Sequence, residues 1–318
     1  MKHVFIILSF FCCSCSQQRT DFHWRGVAMT IPYHIHIGPF PSHISENQVL
    51  DVITKTFREV DETFNKYNPS SELSTLNSWE KGLPFPCSSR LFYVLKQCDL
   101  FYRISDGRFD PTISPLKELW KEALSRHSVP SKEDLAALPP IGWENLCLHD
   151  SCQVIKSDAS IAIDLGGIAK GYAVDLLVES LSDIGITNMY VEWGGEIRTQ
   201  GNHPEDRAWK IGILSPCNGE SPKVVEVREK ALATSGDSIQ SWSVFHNGKE
   251  RRLSHFLDPK KLQPLPGSTN RSVTIKYDSC LVADALATIF CTLSPEEDPY
   301  LFLHERVLPV FPSAEVIS

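Results

Sequence analysis

The stretch IDLGGIAKGYAVD, residues 163–175, constrains the fold more than any other part of the chain. An apolar run ends at Asp164, the glycines Gly166 and Gly167 follow, and Lys170 opens a segment with helical spacing. A chain written in that order must turn out of an extended run directly into a helix. The paired glycines let backbone come close to a ligand, and the free N–H groups of the helix start attract an anion. Lys170, in the first turn, adds positive charge at the same place. The pattern is not a Walker loop, because Gly171 rather than Ser or Thr follows Lys170. Nor does the spacing of Gly166, Gly167 and Gly171 match the dinucleotide fingerprint. The bland alternative is a tight strand-to-helix turn with no ligand.

Two further stretches carry chemistry. In ADALAT, Asp284 and Thr288 lie four residues apart on an expected helix, so both project from one face. A carboxylate beside a hydroxyl suits a hard cation such as magnesium, although such pairs also occur simply facing solvent or bonded back to the helix. In LSHFLDP, His255 stands three residues before Asp258. A histidine ionises near neutrality and is suited to take a proton from an attacking hydroxyl, but an isolated histidine serves equally well as a structural residue. Asp258 either orients that ring or shapes the turn before Pro259, and the second role fits better. Ser235 in ATSGDS lacks the G-x-S-x-G elbow of a serine nucleophile, so this stretch reads as a small-residue turn.

Around these stretches the periodicity alternates between helix and strand. Val49, Ile53, Phe57, Val60, Phe64 and Tyr67 recur at steps of three and four, and Ser45 with Gln48 makes a capping-box pattern at the start of that helix. Further helices are expected over 90–104, 168–183 and 281–293, the last being the final one. Strands are expected in YHIHIGPF, SIAIDL, NMYVEW and WKIGIL and over 272–276. SDGRFDPT reads as a turn in which Asp106-Gly107 takes an unusual backbone conformation, and 130–140 as a proline-bounded connector. No internal repeat or clean break in composition divides the chain. The pattern predicts one mixed α/β (α+β) domain with helices packed on a largely antiparallel sheet.

Composition decides what such a domain can bind and where it works. At 318 residues with 42% hydrophobic and 22% charged, the chain can bury a sizeable core. A net charge of -8 argues against nucleic acid as a partner. The first residues, MKHVFIILSFFCCSCSQQRTDF, join a basic start at Lys2 to an apolar run too short to span a membrane. Residues 1–14 therefore read as a signal peptide, Cys15 after Ser14 as a lipidated N-terminus, and 15–25 as a tether, with 26–318 as the working domain. Simple cleavage without a lipid is the alternative. Export permits disulfides among the seven remaining cysteines, whose odd number leaves at least one unpaired. Cys147 and Cys152 flank LHDS in an expected hairpin and either face each other or are buried thiols. Those seven contain no C-x-x-C, which argues against a thiolate zinc site.

Seven stretches taken in order, EVDETFNKYNPSSELSTLN, SDGRFDPTISPL, IDLGGIAKGYAVD, WGGEIRTQG, ATSGDS, SHFLDP and VADALAT, resemble the ApbE family of FAD:protein FMN transferases across nearly all of 26–318. The resemblance implies a magnesium-dependent enzyme. It splits the FAD pyrophosphate, links FMN to a threonine or serine hydroxyl of an acceptor protein carrying a short Ser/Thr motif, and releases AMP. Carried over by position, it implies that Met29, Tyr67, Arg108, Phe109, Asp110, Asp164 and Lys170 contact FAD. It places the metal on Asp284 and Thr288 with backbone at Gly167 and Ala287, and gives His255 the part of the base beside FAD. It also implies export and a lipid anchor in a bacterial membrane facing the periplasm, in agreement with the reading of Cys15.

Three stretches depart from the family pattern. Met29-Thr30-Ile31 stands where the family has Met-Gly-Thr, Lys260-Lys261-Leu262 follows LDP where Thr-Gly is usual, and Phe64-Asn65 replaces Met-Ser. None of them removes an expected metal ligand or the histidine. Two other functions use the same residues differently. An FAD pyrophosphatase would let water attack in place of the acceptor hydroxyl. A lipid-anchored flavin-binding protein would have no need of Asp284, Thr288 and His255 together.

Overall fold

In a computed structural model, residues 21–39, 41–214, 221–237, 241–246, 249–267, 271–294 and 296–317 are described. The segment expected to be a signal peptide, Cys15 and Cys217 lie outside them. No helix among the described residues is long and apolar enough to cross a membrane.

The chain starts with a hairpin of β1 (Phe22–Ala28) and β2 (Ile31–Ile37), whose register runs unbroken from Phe22 opposite Ile37 to Ala28 opposite Ile31. Residues 22–25, expected in the tether, belong to β1, because their side chains alternate between the sheet and solvent as a paired strand requires. The two-residue turn puts Met29 and Thr30 at φ 48° and 67°. A tight hairpin demands that geometry, and Thr30 adopts it without the family's glycine and without shifting the register.

Helix α1 (Glu46–Phe64) is capped as expected, with Ser45 Oγ accepting from Gln48 N and Gln48 Oε1 accepting from Ser45 N. Its buried face is Val49, Ile53, Thr56, Phe57, Val60 and Phe64. Tyr67 falls past the helix end and is 72% exposed, so it leaves the apolar stripe on which the spacing placed it. Asn65 stops the helix by donating to Asp61 and accepting from Tyr67 N. The chain continues through α2 (Glu72–Asn77), β3 (Phe85–Pro86), α3 (Ser89–Ile104), α4 (Ser114–Ser125) and α5 (Lys132–Ala136), the last inside the proline-bounded connector. A hairpin of β4 (Leu146–His149) and β5 (Gln153–Lys156) follows. Its register sets Cys147 opposite Ile155, while Cys152 sits in the turn and its carbonyl accepts from Cys87 N. Cys147 and Cys152 therefore do not face each other. Cys147 is exposed and Cys152 half-buried, and both are free thiols.

Residues 160–165 form no strand, contrary to the expectation from SIAIDL. The segment is irregular, and a side chain takes the place of a neighbouring strand: Asn77 donates to Ile163 O and accepts from Ile163 N, and Asp164 N donates to Pro111 O. Helix α6 (Ala169–Asp183) comes next, then β6 (Met189–Trp193), β7 (Glu196–Gln200), β8 (Trp209–Ile213), β9 (Lys223–Val227) and β10 (Ala231–Gly236). The ATSG residues are thus the end of a strand rather than a turn, paired with the strand that follows below. Strands β11 (Ser241–His246), β12 (Lys249–Asp258) and β13 (Gln263–Pro266) make a small sheet that carries His255. Then come β14 (Ser272–Tyr277), helix α7 (Cys280–Cys291), a short α8 (Pro299–Phe302), a π-helical turn over Leu303–Val307 and β15 (Glu315–Val316). The helix expected to be last is therefore followed by more helical chain.

The main sheet runs β1-β2-β6-β7-β10-β14-β15 with every pair antiparallel. Mixed α/β architecture with antiparallel sheets is what the patterning predicts. Every residue of α7 except Thr288 is buried, so this helix lies in the interior between α6 and the sheet. The approach to α6 is close enough that a Cβ at Gly171 would meet Cys280 O at 2.3 Å, which only glycine avoids. Asp175, also on α6, accepts from Cys280 N, Leu281 N and Ser279 Oγ and pairs with Arg198 of β7. One carboxylate thereby caps α7 and ties two helices to the sheet.

Candidate active site

The close contact of α6 with α7 brings the glycine turn, Lys170 and Asp284 to one wall of a cavity of about 440 Å³. Of the residues singled out from sequence, Arg108, Phe109, Asp110, Asp164, Gly167, Lys170, His255, Asp284 and Thr288 line it. They come from four separate parts of the chain. Met29, Tyr67 and Ala287 are not in its wall. Met29 is held at the β1–β2 turn, packed on the core. Ala287, expected to contribute only backbone, is wholly buried inside α7, and of that helix's side chains Asp284 and Thr288 face the cavity. Tyr67 stands outside with its ring centroid 5.2 Å from Lys66 Nζ, which in turn reaches Asp164. Its ring is open to solvent, so a planar ring can stack on it.

At the floor, Lys170 Nζ pairs with Glu196 Oε1 and lies 3.9 Å from Asp284 Oδ1. Asp284 Oδ2 accepts from Gly171 N at 2.9 Å, so the backbone fixes the carboxylate. Burial pushes the Asp284 carboxyl upward, with Lys170 and the Gly171 N–H opposing it. Glu196 is pushed up to about 7, first by burial and then by Asp284, against the pull of Lys170. Burial works against the Lys170 charge, but the two carboxylates outweigh it and raise its pKa. The second oxygen of Glu196 is buried with no hydrogen-bond partner among the described residues. Such an oxygen needs a partner that protein atoms do not supply.

Glu196 sits in the WGGEIRTQG stretch, yet sequence reasoning does not single it out as a site residue, nor does it single out Lys66 and Lys117. The signal for Glu196 is an acid at the start of a strand directly after two glycines; its pairing with Lys170 depends on the sheet. Together Asp284, Thr288 and Glu196 offer only oxygen donors, and a Cβ at Gly167 would stand 3.2 Å from Thr288 Oγ1. Backbone therefore approaches that hydroxyl closely. This donor set fits a hard divalent cation.

The upper wall is cationic. Asp164 pairs with Lys117 at 2.9 Å and Lys66 at 3.0 Å. Burial opposes its ionisation, but Lys117 and Lys66 overcome this and hold the carboxyl well below the usual range. Its other oxygen accepts from Gly166 N, which sets the glycine turn. Arg108 pairs with Glu297 at 2.5 Å. Asp110 spends one oxygen on Thr112 N and Oγ1, so it shapes the turn before α4 while bordering the cavity. His255 enters from β12, half-buried, with its ring 4.1 Å from that of Phe256. Asp258 accepts from Lys260 N and Lys261 N and so holds the following turn, the structural role expected of it. Lys260 braces the Asp106-Gly107 turn by an ion pair of 2.6 Å, and those two residues take φ 52° and 75° as predicted. The non-family residues after LDP are thus built into the structure around the cavity. An imidazole, cationic side chains and an oxygen donor set around one space suit the transfer of a phosphorus-linked group.

The chain matches the ApbE family over residues 29–310. It is 38% identical over 323 residues to the FAD:protein FMN transferase of Chlamydia trachomatis serovar D, covering 100% of this chain and 98% of that protein. To the FAD:protein FMN transferase of Chlamydia pneumoniae it is 37% identical, covering 92% and 90%. Among solved structures it is similar to the flavin transferase ApbE from Vibrio cholerae, with a TM-score of 0.76 at 30% identity over 87% of this chain and 88% of that one.

Proposed function

The chain belongs to the ApbE family and is a transferase, and we propose that it moves FMN from FAD to a threonine or serine hydroxyl of an acceptor protein, with magnesium, releasing AMP. One observation carries the reading: His255 and the Asp284–Thr288 face of α7 meet the glycine turn in a single cavity. In the transfer the acceptor oxygen forms a bond to the FMN phosphorus. The bridging P–O bond breaks and its electron pair leaves with AMP. The imidazole of His255 receives the hydroxyl proton. Lys170, Lys117 and Arg108 bind and orient the pyrophosphate through charge, and the glycine turn gives it room. Asp284, Thr288 and Glu196 would hold the cation, which when bound neutralises charge on the phosphates. Tyr67, beside Lys66, would stack on a ring of FAD, and Met29 would act through the neighbouring hairpin turn. Export and anchoring through a lipid on Cys15 complete the proposal and place the site on the periplasmic side of a bacterial membrane.

The test is incubation of the purified protein with FAD, magnesium and an acceptor bearing a Ser/Thr motif, followed by in-gel flavin fluorescence of the acceptor. A fluorescent acceptor band with one AMP per flavin supports transfer. Free FMN and AMP with an unlabelled acceptor would establish hydrolysis instead, and binding without AMP a carrier.

A further inference from the structure

On the β1–β2 hairpin, none of whose residues lines the cavity, three histidines and an acid gather on one face. Strand periodicity puts them there: His34 and His36 are two residues apart on β2, Asp21 and His23 likewise at the start of β1, and the register sets His23 directly opposite His36. His23 Nε2 and His36 Nε2 each lie 3.1 Å from the same oxygen, Asp21 Oδ2. The two rings stack with centroids 3.8 Å apart, and their Nε2 atoms meet at the same carboxylate oxygen. One ligand atom from each of the three residues lies within 4.8 Å of the other two.

From this convergence we propose a second metal site, formed by Asp21, His23 and His36, that takes a zinc-type divalent transition ion and clasps β1 to β2. Tetrahedral zinc with bonds of about 2.0–2.1 Å sets its donor atoms about 3.3 Å apart, close to the 3.1 Å that separates each histidine nitrogen from Asp21 Oδ2. Two imidazole nitrogens and one carboxylate match zinc, whereas magnesium and calcium demand oxygen donors. The surroundings also suit ligation. His23 Nδ1 is 3.1 Å from His34 Nε2, which orients the ring as metal-binding histidines commonly require. His36 is walled by Trp209 and His203 at centroid distances of 5.1 and 5.5 Å. Asp21 and His23 are about two-fifths exposed, so solvent can fill the fourth position.

The experiment uses the untagged mature chain, freed of transition metal by chelation and kept in excess magnesium and FAD. Titration with zinc should saturate at one equivalent and raise Tm, because the ion binds only when β1 is paired with β2. Cobalt in its place should show tetrahedral ligand-field bands without thiolate charge transfer. His23→Gln, at an exposed position, and Asp21→Asn should each weaken zinc binding at least about tenfold and abolish the Tm increase while flavin transfer in magnesium persists. Zinc binding that is unchanged in both variants, or no zinc uptake by the unmodified chain, would overturn the proposal. It would leave two imidazoles donating hydrogen bonds to one carboxylate.

Discussion

Lys170 on α6 and Glu196 on β7 form an ion pair at the floor of the cavity, and the second oxygen of Glu196 has no hydrogen-bond partner among the described residues. The pair is separated in sequence by the rest of α6 and all of β6. It links the glycine turn to the central sheet beside Asp284.

Burial of Glu196 makes the metal-free protein sensitive to pH. Glu196 rises from 4.5 to about 7 on folding, so between those values the folded state holds a proton that the unfolded state has lost. Its contribution to stability is therefore present below the unfolded pKa and falls as pH rises toward about 7. The loss should be on the order of 2 kcal/mol, and Glu196→Gln should remove it. Urea denaturation of chelator-treated protein at about pH 5 and about pH 8 measures this. A wild-type slope with pH no steeper than the variant's would count against the raised pKa.

Removing the carboxylate on α7 should stop the chemistry. Asp284→Ala is expected to lower AMP release by at least about a hundredfold, and EDTA should do the same to wild type. AMP release with and without chelator is the readout. Full activity in EDTA would refute the oxygen-donor site as a metal site.

His255→Ala should separate binding from transfer. FAD affinity, followed by fluorescence quenching, should stay nearly unchanged, while single-turnover flavin transfer falls on the order of a hundredfold or more. A variant that loses FAD binding yet transfers normally at saturating FAD would make His255 a ligand contact.

Asp175→Ala should destabilise the fold, since it removes the acceptor for the first N–H groups of α7 and strips Arg198 of a buried partner. The expected loss is about 2–4 kcal/mol by chemical denaturation. A change below about 0.5 kcal/mol, the usual range for surface sites, would show that Ser279 caps α7 unaided.

Mass spectrometry of the mature N-terminus should find a diacylglyceryl mass on Cys15. An unmodified N-terminus beginning elsewhere would disprove the anchor.

Several of these features are legible in the order of the amino acids. The capping box of Ser45 and Gln48, the buried face of α1, the positive φ at Asp106-Gly107 and the shared face of Asp284 and Thr288 all arise within a few residues of chain. Backbone sterics and helical period determine such relations locally, so composition and spacing are enough. The strand expected at 160–165 does not form because Asn77, from a distant helix, satisfies its backbone, and periodicity contains no information about which partner fills a hydrogen bond. Glu196, Lys66 and Lys117 enter the site for a similar reason. Their positions beside Lys170 and Asp164 follow from sheet order and helix packing, which bring together charges far apart in the chain. The sequence determined which side chains were available and which local face each would occupy. Tertiary packing alone decided which of them share one low-dielectric space, and that sharing sets their charges and their chemistry.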